Sequence, residues 1–170
     1  MVGKIKNITL YSFSRIFFKK YYLIFCLPCL TLIPFIILLK KELIMFTLDF
    51  SLVLYLGLIT PFILHEYMYI LFMKKEYSNC EMKIEFSLLK ISLLPKIPQI
   101  SRKTLLKIAL LPLIILFSIG IVFFVISYIM NYFPLRIVGF LFMIHIINAI
   151  PPFGDGLMII KALLSSNERR

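Results

Sequence analysis

Apolar residues run along the chain in long blocks, separated by short clusters of lysine, arginine and proline. A bilayer is crossed by roughly 18 or more consecutive apolar residues in a helix, and the pattern predicts four such blocks. They are residues 21–39, closed by Lys40 and Lys41; 50–73, closed by Lys74 and Lys75; 105–130; and 135–164, interrupted by Pro151-Pro152-Phe153-Gly154-Asp155-Gly156. Residues 1–20 mix basic and apolar positions without a long apolar run, which predicts an N-terminal interfacial helix. After the second block, Glu81, Lys83, Glu85 and Ser87 alternate strictly with Met82, Ile84, Phe86 and Leu88. A period of two is the signature of a strand with one wet face. The following apolar run, Ile91–Leu94 before Pro95, supplies its partner, because a lone strand would leave both edges unpaired. Residues 80–95 therefore read as a small surface β-hairpin. The expected fold is mainly α: one polytopic membrane domain over residues 1–170, with about four transmembrane helices.

Composition supports the membrane reading. Of the 170 residues 61% are hydrophobic, and the mean hydropathy is +0.99, whereas soluble domains are about 45–50% apolar. A soluble enzyme and a disordered tail are excluded. The net charge of +11, from 19 basic and 8 acidic residues, would suggest nucleic acid as a partner of a soluble chain. Here the basic residues flank apolar blocks, so they are expected to anchor the chain at lipid headgroups, with no nucleic-acid partner. Most of them precede the first block, lie within residues 74–107 or fall in the tail at Lys161, Arg169 and Arg170; Lys40, Lys41 and Arg136 are on the opposite side. The positive-inside rule then places both termini and the hairpin in the cytoplasm. The first block is longer than the apolar core of a signal peptide and lacks a small-x-small cleavage site, so it is expected to be retained. Three cysteines give no disulfide framework.

Ionisable groups within a bilayer are costly and therefore mark candidate functional positions. His65 and Glu66 lie inside the second block, and Asp155 lies in the interrupted fourth. With a helical rise of ~1.5 Å per residue, His65 is about 13 Å from Lys74 and Asp155 about 9 Å from Lys161, so two distant segments bring these groups to similar depths. Zinc hydrolases need nitrogen or carboxylate ligands and a carboxylate that takes a proton from water. A His-Glu-x-x-His helix supplies two ligands on one face with the Glu as base. This chain reads His65-Glu66-Tyr67-Met68-Tyr69, so Tyr69 stands where the second ligand belongs. His145, the other histidine, would be about 15 Å deeper than Asp155 on a continuous helix; the alternative is that the Pro151-Pro152 break folds the chain back and brings His145 in as the replacement ligand. Cys26-Leu27-Pro28-Cys29 lies at a comparable depth, where a metal role competes with plain packing. The bland alternatives are a buried His65–Glu66 pair and an Asp155 that merely caps the helix after it.

The order of further pieces carries a resemblance. Leu64-His65-Glu66 is followed by Phe86-Ser87-Leu88-Leu89-Lys90, Ser101-Arg102-Lys103, Ala109-Leu110-Leu111-Pro112 and Gly154-Asp155-Gly156. Over about residues 50–165 this arrangement resembles the membrane-embedded zincins, namely the site-2 protease fold and, more closely, a family of small bacterial membrane zincin peptidases. The resemblance implies a bacterial plasma-membrane protein with zinc held by His65 and Asp155 and with Glu66 as general base. It also implies hydrolysis of a membrane-associated peptide or protein, with an extended substrate added to the hairpin as a strand. Tyr69 departs from the family pattern. The alternative it raises is a non-catalytic relative that binds a membrane peptide or protein as an accessory or immunity-type factor.

Overall fold

A computed structural model describes residues 2–4, 8–77, 81–86, 91–95 and 100–164. The expected turn at 87–90, Cys80 and the tail bearing Arg169 and Arg170 lie outside the described residues. The elements are β1 (Val2–Lys4), α1 (Leu10–Lys20), α2 (Tyr22–Ile37), α3 (Lys41–Leu52), a π-helical stretch (Val53–Ile59), α4 (Thr60–Glu76), β2 (Glu81–Phe86), β3 (Ile91–Pro95), α5 (Arg102–Ile129), α6 (Phe133–Ile144), a 3-10 turn (His145–Ala149) and α7 (Gly154–Leu164). The chain is mainly helical. Three helical stretches are long and apolar enough to cross a membrane: Lys41–Lys75, Arg102–Ile129 and Phe133–Leu164.

The N-terminal region corrects the expected interfacial helix over 1–20. Val2–Lys4 is a strand, paired antiparallel with β2 in the register Val2↔Lys83, Gly3↔Met82 and Lys4↔Glu81. The helix begins only at Leu10, where Thr9 caps it: the Thr9 hydroxyl accepts from the Ser12 amide, and the Ser12 hydroxyl accepts from the Thr9 amide. This reciprocal pairing satisfies amides that a helix start leaves open. Phe13 and Phe17 of α1 are buried in a cluster with Ile63, Ile70 and Met73 of α4. β2 also pairs antiparallel with β3, from Met82↔Pro95 to Phe86↔Ile91, giving the sheet order β1-β2-β3.

The first two expected spans also change. Residues 21–39 contain the short helix α2, with Pro28 and Pro34 inside it, which reaches spanning length only together with α1 across a 67° bend. The second span begins well before Phe50, at Lys41. Residues 41–49 fall outside the expected block 50–73, but no helix breaker lies among them. The real break is at Leu39, whose positive φ of 51° turns the chain. Asp49 is accommodated inside its helix because the Tyr132 hydroxyl donates to its carboxylate.

Close approach between helices fixes the bundle. A Cβ on Gly120 would stand 2.7 Å from the Gly139 carbonyl oxygen, and one on Gly139 would stand 2.8 Å from that of Gly120. α5 and α6 thus cross with their backbones nearly touching, the use to which membrane helices put small residues. Met68 of α4, Leu116 of α5, and Val138 and Phe142 of α6 fill the core beside this crossing.

Candidate metal centre

Four residues of α4 and α7 face each other across the site. His65 and Tyr69 are one turn apart on α4, and Asp155 and Met158 are one turn apart on α7, so each pair shares a helix face. His65 Nε2 is 3.0 Å from Asp155 Oδ2. The Tyr69 hydroxyl points to Met158 Sδ at 3.7 Å, a weak contact. His65 and Asp155 are each only 7% exposed.

Local sequence explains how Asp155 arrives there. The helix that starts at Phe133 tightens into the 3-10 turn His145–Ala149 and breaks over Ile150–Phe153; α7 then starts afresh at Gly154. Asp155 falls in the first turn of α7, where a carboxylate suits the positive end of the helix dipole. Gly156 makes the fold-back possible: a Cβ there would be 2.6 Å from the backbone of Ile150 and Pro151. The Gly-Asp-Gly run therefore starts a helix against a turn that no larger residue would admit.

The contact between His65 and Asp155 is close but out of line. Although 3.0 Å is within hydrogen-bond range, His65 Nε2 is buried and has no hydrogen-bond partner. Buried polar atoms are almost always paired, so each exception asks for a reason. The opposite ring nitrogen, Nδ1, lies 3.6 Å from Glu66 Oε1, beyond a hydrogen bond. An ionised carboxylate only accepts, and the ring has one on each side, Asp155 at Nε2 and, farther off, Glu66 at Nδ1.

With its proton given up, Nε2 and the Asp155 oxygen suit two places around a divalent metal. Zn–N and Zn–O bonds of ~2.0–2.2 Å at tetrahedral angles put two donors about 3.4 Å apart, close to the separation here. Among the described residues no group of three His, Cys, Asp or Glu side chains converges closely enough to enclose an ion. The donor set that fits is therefore His65 and Asp155, one protein ligand short of the three usual at a catalytic zinc. The phenol of Tyr69, packed on Met158, occupies the face where the motif has its second histidine.

The structure brings His65, Glu66 and Asp155 together. Cys26 and Cys29 are exposed on α2, and among the described residues they form no metal-holding group with other His, Cys, Asp or Glu side chains. His145 departs from the depth expected of a continuous helix. The 3-10 turn and the break carry it back toward the site, with its ring centre 6.3 Å from that of His65. The Asp49–Tyr132 pairing went unnoticed in the sequence, although an Asp inside a spanning helix is itself the signal that such a partner exists.

Residues 58–169 match a protein-family model described as "Putative zincin peptidase". Neither curated proteins nor solved structures gave a match.

Proposed function

The chain belongs to this zincin peptidase family, and from that premise we propose that it is a membrane-embedded, zinc-dependent peptidase acting on a membrane-associated peptide. The observation that carries the reading is the buried His65 Nε2, without a hydrogen-bond partner and 3.0 Å from the Asp155 carboxylate. His65 and Asp155 would hold the ion, which supplies Lewis acidity toward the scissile carbonyl and water. Glu66, 18% exposed at its side chain, is the carboxylate on hand to take a proton from attacking water. Its carboxylate lies 3.6 Å from the far nitrogen of His65, the side from which a carboxylate orients a ligating imidazole. Asp155, at the first turn of α7, and His65, inside α4, are held on rigid elements, as a preorganised site requires. We place the sheet and both termini on the cytoplasmic side by the charge bias, with the β3 edge open to an extended substrate strand.

The test is cleavage of transmembrane peptides by purified protein in proteoliposomes, read by mass spectrometry. Cleavage that stops with a chelator and with Glu66→Gln supports the reading. Bound metal without cleavage of any peptide supports a second reading, a non-catalytic member of the family that grips a membrane peptide or protein. Tyr69 favours that second reading, since it removes a ligand while leaving the rest of the site in place.

A further inference from the structure

The geometry points to His145 as the third protein ligand of the site, in place of the histidine that Tyr69 displaces; the inference rests on the metal proposed at His65 and Asp155. His145 Nδ1 is 2.9 Å from the Leu141 carbonyl oxygen, which can only accept. Nδ1 therefore carries the proton, and Nε2 is left with a free lone pair. A histidine whose second nitrogen is tied to a backbone carbonyl is the form in which proteins present imidazole to metals. The His145 ring is half-buried, with its centre 6.3 Å from that of His65 and their planes inclined at 41°. Two imidazoles on one tetrahedral zinc have ring centres about 5 Å apart, so closure needs a shift of ~1 Å. The elements are placed for that shift: His145 opens the 3-10 turn whose far end packs on Gly156, next to Asp155. His145, Asp155 and His65 thus come from a turn, a helix start and a helix interior that border the same site, with the His145 ring still 6.3 Å from that of His65. The ligand class is a divalent transition metal of the zinc or cobalt type, which takes imidazole and carboxylate together.

The experiment uses the full chain loaded with Co²⁺ as a spectroscopic probe. His145→Cys is expected to add a thiolate-to-cobalt charge-transfer band that the wild type lacks, a gain of signal that loss of folding cannot imitate. His145→Ala is expected to weaken Co²⁺ binding about 10–100-fold, whereas Tyr69→Phe leaves it unchanged. Co²⁺ bound by the wild type, with no new band in His145→Cys and unchanged affinity in His145→Ala, overturns the role of His145 and leaves the His65–Asp155 metal standing. A wild-type chain that takes up no Co²⁺ overturns both.

Discussion

At one end of the bundle the Tyr132 hydroxyl donates to the Asp49 carboxylate, and Arg136 lays its guanidinium 4.1 Å over the Tyr128 ring. About 24 Å along the same helix, His65 and Asp155 stand 3.0 Å apart with no hydrogen bond to the buried Nε2. Both places hold ionisable groups that a membrane helix carries only at a cost. At the first, the groups satisfy one another: the paired carboxylate holds the Tyr132 hydroxyl in its protonated form, raising its pKa above the ordinary phenol value, with burial adding to the effect. Arg136 Nε has no hydrogen-bond partner, but its cation rests on an aromatic face. At the second, a buried ring nitrogen faces a carboxylate without a hydrogen bond between them. A closed polar contact holds helices together; a buried nitrogen left unpaired marks a candidate ligand site.

The difference predicts a double dissociation, strongest at the open site. Asp155→Ala is expected to weaken zinc binding on the order of 100-fold or more, while the metal-free protein melts within about 1 kcal/mol of wild type; competition against a chromophoric chelator and thermal unfolding in detergent measure the two. Gly156→Ala blurs the comparison by touching both properties. Its Cβ would meet backbone at 2.6 Å, so the turn must move at a cost of about 1–3 kcal/mol, and Asp155 moves with it. Both the melting point and the zinc affinity should fall. Tyr132→Phe sharpens the comparison from the other end. It removes the bond to Asp49 and should cost about 1 kcal/mol in thermal unfolding, with zinc affinity unchanged. Cys26→Ser with Cys29→Ser should move neither readout beyond about 0.5 kcal/mol, because both side chains are exposed.

Much of this was legible in the sequence because the signals were local. Apolar blocks marked the three long helices, and strict alternation at 81–86 marked a strand. Depth counted along a helix put His65 and Asp155 at a common level, which is where their side chains meet. What escaped depended on tertiary partners. The strand at Val2–Lys4 is too short to show a period and exists through its pairing with β2. Lys41–Asp49 falls outside the expected second block; the Tyr132 hydroxyl that makes Asp49 tolerable inside the helix lies far away in the chain. For His145 the sequence leaves two outcomes, an unbroken helix or a fold-back at Pro151-Pro152, because the tightening to a 3-10 turn that decides between them is not visible in a hydropathy pattern.

The central claim is that His65 and Asp155 share one divalent ion. Zinc content per chain, measured by elemental mass spectrometry on full-length protein purified without chelators, tests it most directly when wild type and His65→Ala are compared. The account predicts stoichiometric zinc in the wild type and background levels in His65→Ala. A wild type without zinc, or a variant that keeps it in full, would contradict the account.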